Sequence, residues 1–280
     1  MSYAIDEMVT KTFLEHWSLS QLPFPKIATP GNILLDSRFE NALNRLEQLL
    51  FTREAGVVVG EAGTGKSTLL DTFLNRVSST RYRVIHIPIP QPRPRELYRA
   101  IASAVGVNTS WFGADALKVV DLLTYSYVES NRPNLLLIDE AHILTPACLN
   151  ELRLLTNAMV KHEGLITLIL FGQPSLASTL KLPAMIPLAQ RIGAWVNLGG
   201  LSEEETESYL DWQVKKAGGK PDIFPLAVKK AIYRRSLGVP RMINRLAWEC
   251  LNQGCLEEAR VITEELFSLV CKNLGPHLAN

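Results

Sequence analysis

Gly60-Glu61-Ala62-Gly63-Thr64-Gly65-Lys66-Ser67 decides the reading of this chain, because it fits G-x-x-x-x-G-K-[ST] at every fixed position. Ala55-Gly56-Val57-Val58-Val59 precedes it, a short apolar run that predicts a buried strand. Ser67-Thr68-Leu69-Leu70-Asp71-Thr72-Phe73-Leu74 follows, with apolar residues at helical spacing. Strand, glycine loop and helix are the context in which this motif binds phosphate. Gly60, Gly63 and Gly65 let the backbone turn tightly and approach a ligand without a Cβ clash. Backbone N–H groups from Glu61 to Thr68 and the positive helix end then face a polyphosphate. Lys66 is placed to reach the β and γ phosphates, and is expected to face solvent until phosphate arrives. The Ser67 hydroxyl is placed to ligate magnesium.

A second stretch completes the constellation. Asn134-Leu135-Leu136-Leu137-Ile138-Asp139-Glu140 is apolar throughout and ends in two carboxylates. Such a run suits the centre of a parallel sheet covered on both faces. Asp139, at its carboxyl end, would emerge beside the glycine loop, where parallel sheets bind ligands. Its expected role is to hold magnesium through water. Glu140, one residue on, is placed to polarise a water attacking the γ phosphate.

Composition bounds the rest. The chain has 280 residues, enough for one large domain or one with a small lid. It is 47% hydrophobic and 20% charged, as a soluble globular protein is. A formal net charge of +1 provides no global field, so any anionic partner must meet a local patch. The four cysteines, Cys148, Cys250, Cys255 and Cys271, form no C-x-x-C pair and suit reduced thiols in the cytoplasm. Met1 to Thr10 shows no apolar signal core, and no run reaches the length of about 18 residues that spans a bilayer. No membrane partner is expected.

Along the chain, prolines in Leu22-Pro23-Phe24-Pro25 and Thr29-Pro30-Gly31 exclude a long helix before Ser37. This segment reads as a clasp on the core, part of which could wall an adenine. Helical spacing runs from Ser37 to Leu50. Tyr82 to Ile87 predicts a second strand. Pro88 to Glu96 predicts a proline-stiffened loop, with Arg81, Arg83 and Arg99 nearby. Arg93 and Arg95 in that loop suit either a solvated surface or contact with nucleic-acid phosphates, to which Thr109 and Lys118 would add. Leu97 to Val105, Ala114 to Asn131 and Thr145 to Lys161 predict helices. Leu165 to Phe171 predicts a third buried strand, ending in Gly172-Gln173-Pro174. Gln173 is therefore either a sensor of the γ phosphate or a turn residue. Trp195 to Leu198 predicts a last short strand. After Gly199-Gly200 the periodicity is helical only, opening with a capping box at Ser202-Glu203-Glu204-Glu205. The expected division is an α/β domain with an N-terminal clasp at 1–200 and a lid of three or four helices at 201–280.

An α/β nucleotide domain followed by a helical lid, with Arg241 in Gly238-Val239-Pro240-Arg241, resembles an AAA+ ATPase. More narrowly, the chain is similar to ExeA-type ATPases of general secretion and to TnsC-type transposition regulators. The residues carrying this are Phe24 in Leu22-Pro23-Phe24, the glycine loop, Ile138-Asp139-Glu140-Ala141-His142 and Phe171-Gly172-Gln173-Pro174. Leu188-Ala189-Gln190-Arg191-Ile192, Leu201-Ser202-Glu203-Glu204-Glu205-Thr206 and Gly238 to Leu246 complete the pattern in the same order. The resemblance implies a P-loop NTPase fold, a parallel sheet flanked by helices, with a small all-helical lid. It implies hydrolysis of ATP with Mg2+ in a homo-oligomer, a ring or helical filament. It implies that Arg241 is a lid arginine sensing nucleotide, or else an ordinary helix-start residue. It implies that Arg191 is a surface arginine or a finger reaching a neighbouring subunit. Secretion members usually continue into a membrane segment and a wall-binding domain, and this chain ends near Asn280 with neither. That favours the mobile-element relatives, which assemble on double-stranded DNA and recruit a transposase with other transposition proteins. The rival expectations are a cytosolic assembly factor of a secretion system acting on protein partners, and a nucleotide switch that hardly hydrolyses.

Overall fold

The computed structural model describes residues 11–25, 33–107, 116–161 and 166–274. The chain divides into two compact units, one spanning Ser37–Leu198, the other joining residues before Ser37 to Gly199 onward. Helix α1 (residues 11–17) belongs to the second of these.

In the unit of residues 37–198, five strands form one parallel sheet. They are β1 (Ala55–Val59), β2 (Arg83–Ile87), β3 (Asn134–Ile138), β4 (Ile166–Gly172) and β5 (Ile192–Asn197), in the order β2-β3-β4-β1-β5. Parallel neighbours need crossovers. Helix α2 (Ser37–Thr52) leads into β1, and the crossover helices described are α3 (Lys66–Arg76), α4 (Pro94–Ala104), α5 (Ala116–Ser130), α6 (Pro146–Lys161), α7 (Pro174–Leu180) and the short α8 (Ile186–Ala189). Strands β1, β3 and β4 are buried at every position, which is why their sequences show no alternation. The edge strands β2 and β5 are only partly buried, and their sequences mix polar and apolar residues.

The register places the site. Val59 pairs with Gly172 across β1 and β4, and Ile138 with Leu170 across β3 and β4. The glycine loop and the carboxylates therefore leave two strands separated by β4, with Gln173 emerging between them.

Three expectations are corrected. Pro94 starts α4 instead of continuing a loop, since proline is pre-organised for a first helical position. Arg93 is thus the helix N-cap and Arg95 a first-turn residue. Arg83 does not add to a basic surface, because its guanidinium turns inward to Ser126 Oγ at 2.9 Å and the Val105 carbonyl at 2.7 Å. Strand β5 starts at Ile192, three residues earlier than its apolar pattern suggested, because pairing with β1 reaches back to Ala55.

The other unit packs α1 with α9 (Glu203–Lys216), α10 (Leu226–Ser236), α11 (Pro240–Leu256) and α12 (Glu264–Asn273). The capping box forms: Glu205 N–H donates to Ser202 Oγ at 3.1 Å, and Ser202 N–H donates to Glu205 Oε2 at 2.9 Å. Gly238 is required here. Its φ is +72°, and a Cβ would lie 1.9 Å from the Leu201 carbonyl oxygen. Phe13, Trp17, Leu19 and Phe24 join the core of this helical unit. Trp17 Nε1 donates to the Leu251 carbonyl at 3.0 Å, and Ser20 Oγ to that of Ala217 at 3.0 Å. The N-terminal clasp is therefore part of the helical unit and not of residues 37–198. Residues 26–32, on which part of the adenine-wall expectation falls, lie outside the described residues. Cys148 and Cys250 are buried and all four thiols are free; burial pushes Cys250 up to about 12. Among the described residues no helix is long and apolar enough to cross a membrane.

Candidate active site

The glycine loop is held between two strand ends. Gly60 N–H donates to the Gly172 carbonyl at 3.2 Å, and Leu198 N–H to the Val59 carbonyl at 2.7 Å. A Cβ on Gly60 would lie 2.4 Å from the Leu198 oxygen and 2.7 Å from Thr64 Oγ1. Gly65, at φ +103°, turns the chain into α3, and no side chain caps that helix. Its first N–H groups are thus left for an anion, which the helix dipole also favours. Thr64 is buried and stiffens the loop by donating from Oγ1 to the Glu61 carbonyl at 2.9 Å. Glu61 and Ala62 are exposed, as is Ser67 on the first turn of α3; Thr68 is half-buried.

Lys66 departs from expectation. It is only 8% exposed, and Nζ donates to the carbonyls of Gly60 at 2.8 Å and Glu61 at 2.9 Å. A buried ammonium needs partners, and the loop's own carbonyls supply them. Phosphate oxygens would compete with these two bonds.

Asp139 follows β3, with its N–H donating to the Ile87 carbonyl at 2.9 Å. Its Oδ1 accepts the Glu140 N–H at 2.8 Å. Burial raises its carboxyl above the ordinary 3.8, helped by the Glu140 charge and opposed by that hydrogen bond, His86 and Lys66. Between 3.8 and the raised value the folded chain binds more protons than the unfolded one. Stability therefore falls as pH rises through that window, and ionised Asp139 is a cost at neutral pH. Asp139→Asn keeps an oxygen for the Glu140 N–H and removes the charge. Its melting temperature at pH 7, without nucleotide or metal, is expected to exceed that of the parent, with a flatter dependence on pH above about 4. Thermal denaturation monitored by circular dichroism checks this; a lower melting temperature would contradict it.

Glu140 adopts φ 48°, ψ 32°, a left-handed conformation uncommon for a side chain of its size. It caps a 3-10 turn at Ala141–Ile143, whose Ile143 N–H donates to the Glu140 carbonyl at 2.9 Å. His142 Nδ1 lies 3.3 Å from Glu140 Oε2. His142 and His86 were given no role by sequence reasoning. For His142 the signals were its place in the Ile138 to His142 motif and its spacing from Glu140, neither of which tells of side-chain proximity until the turn is known.

The exposed Ser67 hydroxyl and the Asp139 carboxylate are hard oxygen donors of the kind magnesium takes. Among the described residues no cluster of three or more His, Cys, Asp or Glu could hold a metal. Few protein ligands suit magnesium, which keeps waters and shares substrate phosphates.

The remaining candidates lie on several elements. Gln173 is half-buried at the N-cap of α7, where its side chain makes no capping bond. Arg191 directly precedes β5, and its Nη1 donates to the Arg153 carbonyl at 3.0 Å and Thr156 Oγ1 at 3.1 Å. This ties the guanidinium to α6 of its own chain. Arg241 is exposed in the first turn of α11, in the helical unit. Arg93 is well exposed but lies 3.6 Å from Glu96, while Arg95 and Lys118 are exposed on α4 and α5. Thr109 lies outside the described residues.

Residues 48–180 match the model of a family described as AAA domain. Over 240 residues the chain is 31% identical to General secretion pathway protein A of Aeromonas hydrophila, covering 83% of this chain and 43% of that protein. It thus spans less than half the length of that relative. Among solved structures, Cdc6p from Pyrobaculum aerophilum is similar with a TM-score of 0.64 at 18% identity, over 89% of this chain and 69% of that one. The Aeropyrum pernix ORC1 protein in complex with DNA is similar at 0.59 and 18%, over 95% and 69%. The RuvB Holliday junction branch migration motor of Thermotoga maritima is similar at 0.55 and 17%, over 90% and 73%. At these identities the likeness is one of fold: that of a P-loop NTPase, with its parallel sheet flanked by helices.

Proposed function

We propose that this chain is an AAA+ ATPase hydrolysing ATP to ADP and phosphate with magnesium. The observation that carries this is the uncapped N-terminus of α3 behind the glycine loop, in a sheet that delivers Asp139 and Glu140 two strands away. Backbone N–H groups from Glu61 to Thr68 bind the phosphates. Lys66 exchanges its two loop carbonyls for β and γ oxygens. Ser67 and Asp139 would hold the metal, which when bound neutralises charge on the β and γ phosphates. Glu140 orients the attacking water and takes its proton. Gln173, between the two strands, contacts the γ phosphate. Arg191 of a neighbouring subunit, released from Arg153 and Thr156, and Arg241 from the lid complete the charge neutralisation. Phosphate release from ATP, measured with magnesium and with chelator, tests the reading. Release that stops with chelator is expected. Tight ATP binding without release would instead support a nucleotide switch.

We further propose that the protein works as a homo-oligomer, a ring or helical filament, on double-stranded DNA, as a transposition regulator recruiting a transposase. Support comes from the resemblance to TnsC-type regulators and from exposed Arg93 and Arg95, repeated in each subunit. Such phosphate contacts are insensitive to sequence and release counterions. Arg93→Ala with Arg95→Ala is expected to weaken duplex binding and to lower the slope of log affinity against log salt by about 2 per chain. Fluorescence anisotropy on a random duplex with ATP, at several salt concentrations, measures both. Unchanged affinity and slope would place the DNA site elsewhere. A second reading, an assembly factor for secretion acting on proteins, is favoured by the identity with General secretion pathway protein A. Failure of the parent protein to bind DNA, or of DNA to stimulate hydrolysis, would favour it.

A further inference from the structure

We propose that His142 is a positioning residue for Glu140, its ring Nδ1 holding one carboxylate oxygen so that the other faces the attacking water; this rests on the ATPase reading above. Three observations converge on it. The left-handed turn at Glu140 folds the chain back, so that a residue two positions on reaches its carboxylate. The Nδ1–Oε2 distance is 3.3 Å, with His142 18% exposed and Glu140 39%. Nδ1 is buried and has no hydrogen bond among the described residues. The pair is within range of a charge contact but not aligned as a hydrogen bond.

A buried polar nitrogen without a partner costs about 1–3 kcal/mol, which a packing role alone would not require. The carboxylate placed beside it is that of the base itself, at 3.3 Å, and catalytic hydrogen bonds are often long before substrate arrives. A small rotation of the Glu140 side chain completes the bond. The turn also abuts the sensor strand. A Cβ on Gly172 would lie 3.2 Å from the His142 backbone nitrogen and 2.9 Å from Leu176 Cδ2. His142 therefore sits beside the strand end from which Gln173 departs, and Gly172 gives it the room. Left-handed strain in a non-glycine residue persists where its surroundings hold it, and it gathers at functional turns. An ordered acceptor for Nδ1 is what this turn secures.

Single-turnover and steady-state hydrolysis by His142→Ala, His142→Asn, Glu140→Gln and the His142→Ala/Glu140→Gln double variant test the proposal. His142→Ala is expected to lose about tenfold in kcat with KM for ATP unchanged, as loss of an orienting partner does. His142→Asn is expected to retain most activity, because its side-chain nitrogen lies the same number of bonds from the backbone as Nδ1. In the Glu140→Gln background, His142→Ala is expected to add no further loss. Independently of turnover, the 15N resonance of His142 Nδ1, assigned with His142→Asn, should shift on Glu140→Gln substitution in nucleotide-free protein. Equal losses from His142→Ala in both backgrounds, full activity of His142→Ala, or an unmoved resonance would each overturn the proposal while leaving the ATPase reading standing. Absence of hydrolysis by the parent protein would remove both.

Discussion

Glu140→Gln is expected to bind ATP and stall, with turnover reduced about 10²–10⁴-fold. The amide keeps the shape of the side chain, and its backbone N–H still donates to Asp139 Oδ1. Asp139 and Ser67 are untouched, so metal and nucleotide affinity survive. What disappears is the acceptor for the water's proton. The left-handed turn at residue 140 holds the side chain close to its site whether it is acid or amide. The change is therefore expected in kcat and not in affinity. Phosphate release together with a fluorescent ATP analogue separates the two. Turnover of half the parent rate or more would mean that Glu140 is not the base. Loss of ATP binding would mean that the substitution had disturbed the Asp139 ligand through their shared hydrogen bond.

Lys66→Ala is expected to lose ATP binding by two orders of magnitude or more. Two charge-assisted hydrogen bonds to phosphate disappear, each contributing about 1.5–3 kcal/mol, and 1.4 kcal/mol is about tenfold in Kd. The burial of Lys66 adds a consequence that a solvent-facing lysine would not have. In the free protein its ammonium satisfies the carbonyls of Gly60 and Glu61. Alanine leaves those oxygens without that donor and leaves space beneath the loop. The variant is therefore expected to melt somewhat below the parent even without nucleotide, with its secondary structure intact. Isothermal titration and thermal denaturation measure the two effects. Retention of parental affinity for ATP would overturn the assignment of the site.

Much of this molecule was legible from one dimension. The glycine loop, the buried strands ending at Val59, Ile138 and Gly172, and the capping box at Ser202 are local patterns. Their physics is carried by neighbours in sequence: a tight turn needs glycine, a strand covered on both faces needs apolar residues throughout, and the free N–H groups of a helix start need an acceptor. That Asp139 and Glu140 leave a strand near the loop followed from parallel topology.

Tertiary structure decided what depends on partners distant in sequence. The burial of Lys66 required the loop to close on itself. The inward turn of Arg83 required Ser126 and Val105. The attachment of residues 11–25 to the helical unit required acceptors at Ala217, Leu251 and Ala259, more than two hundred residues away in two of the three cases. The approach of His142 to Glu140 depended on one backbone dihedral, positive at a glutamate, which no propensity anticipates. Composition and spacing identify which groups can do phosphate chemistry; only the closed fold, through burial and backbone direction, sets which of them face one another.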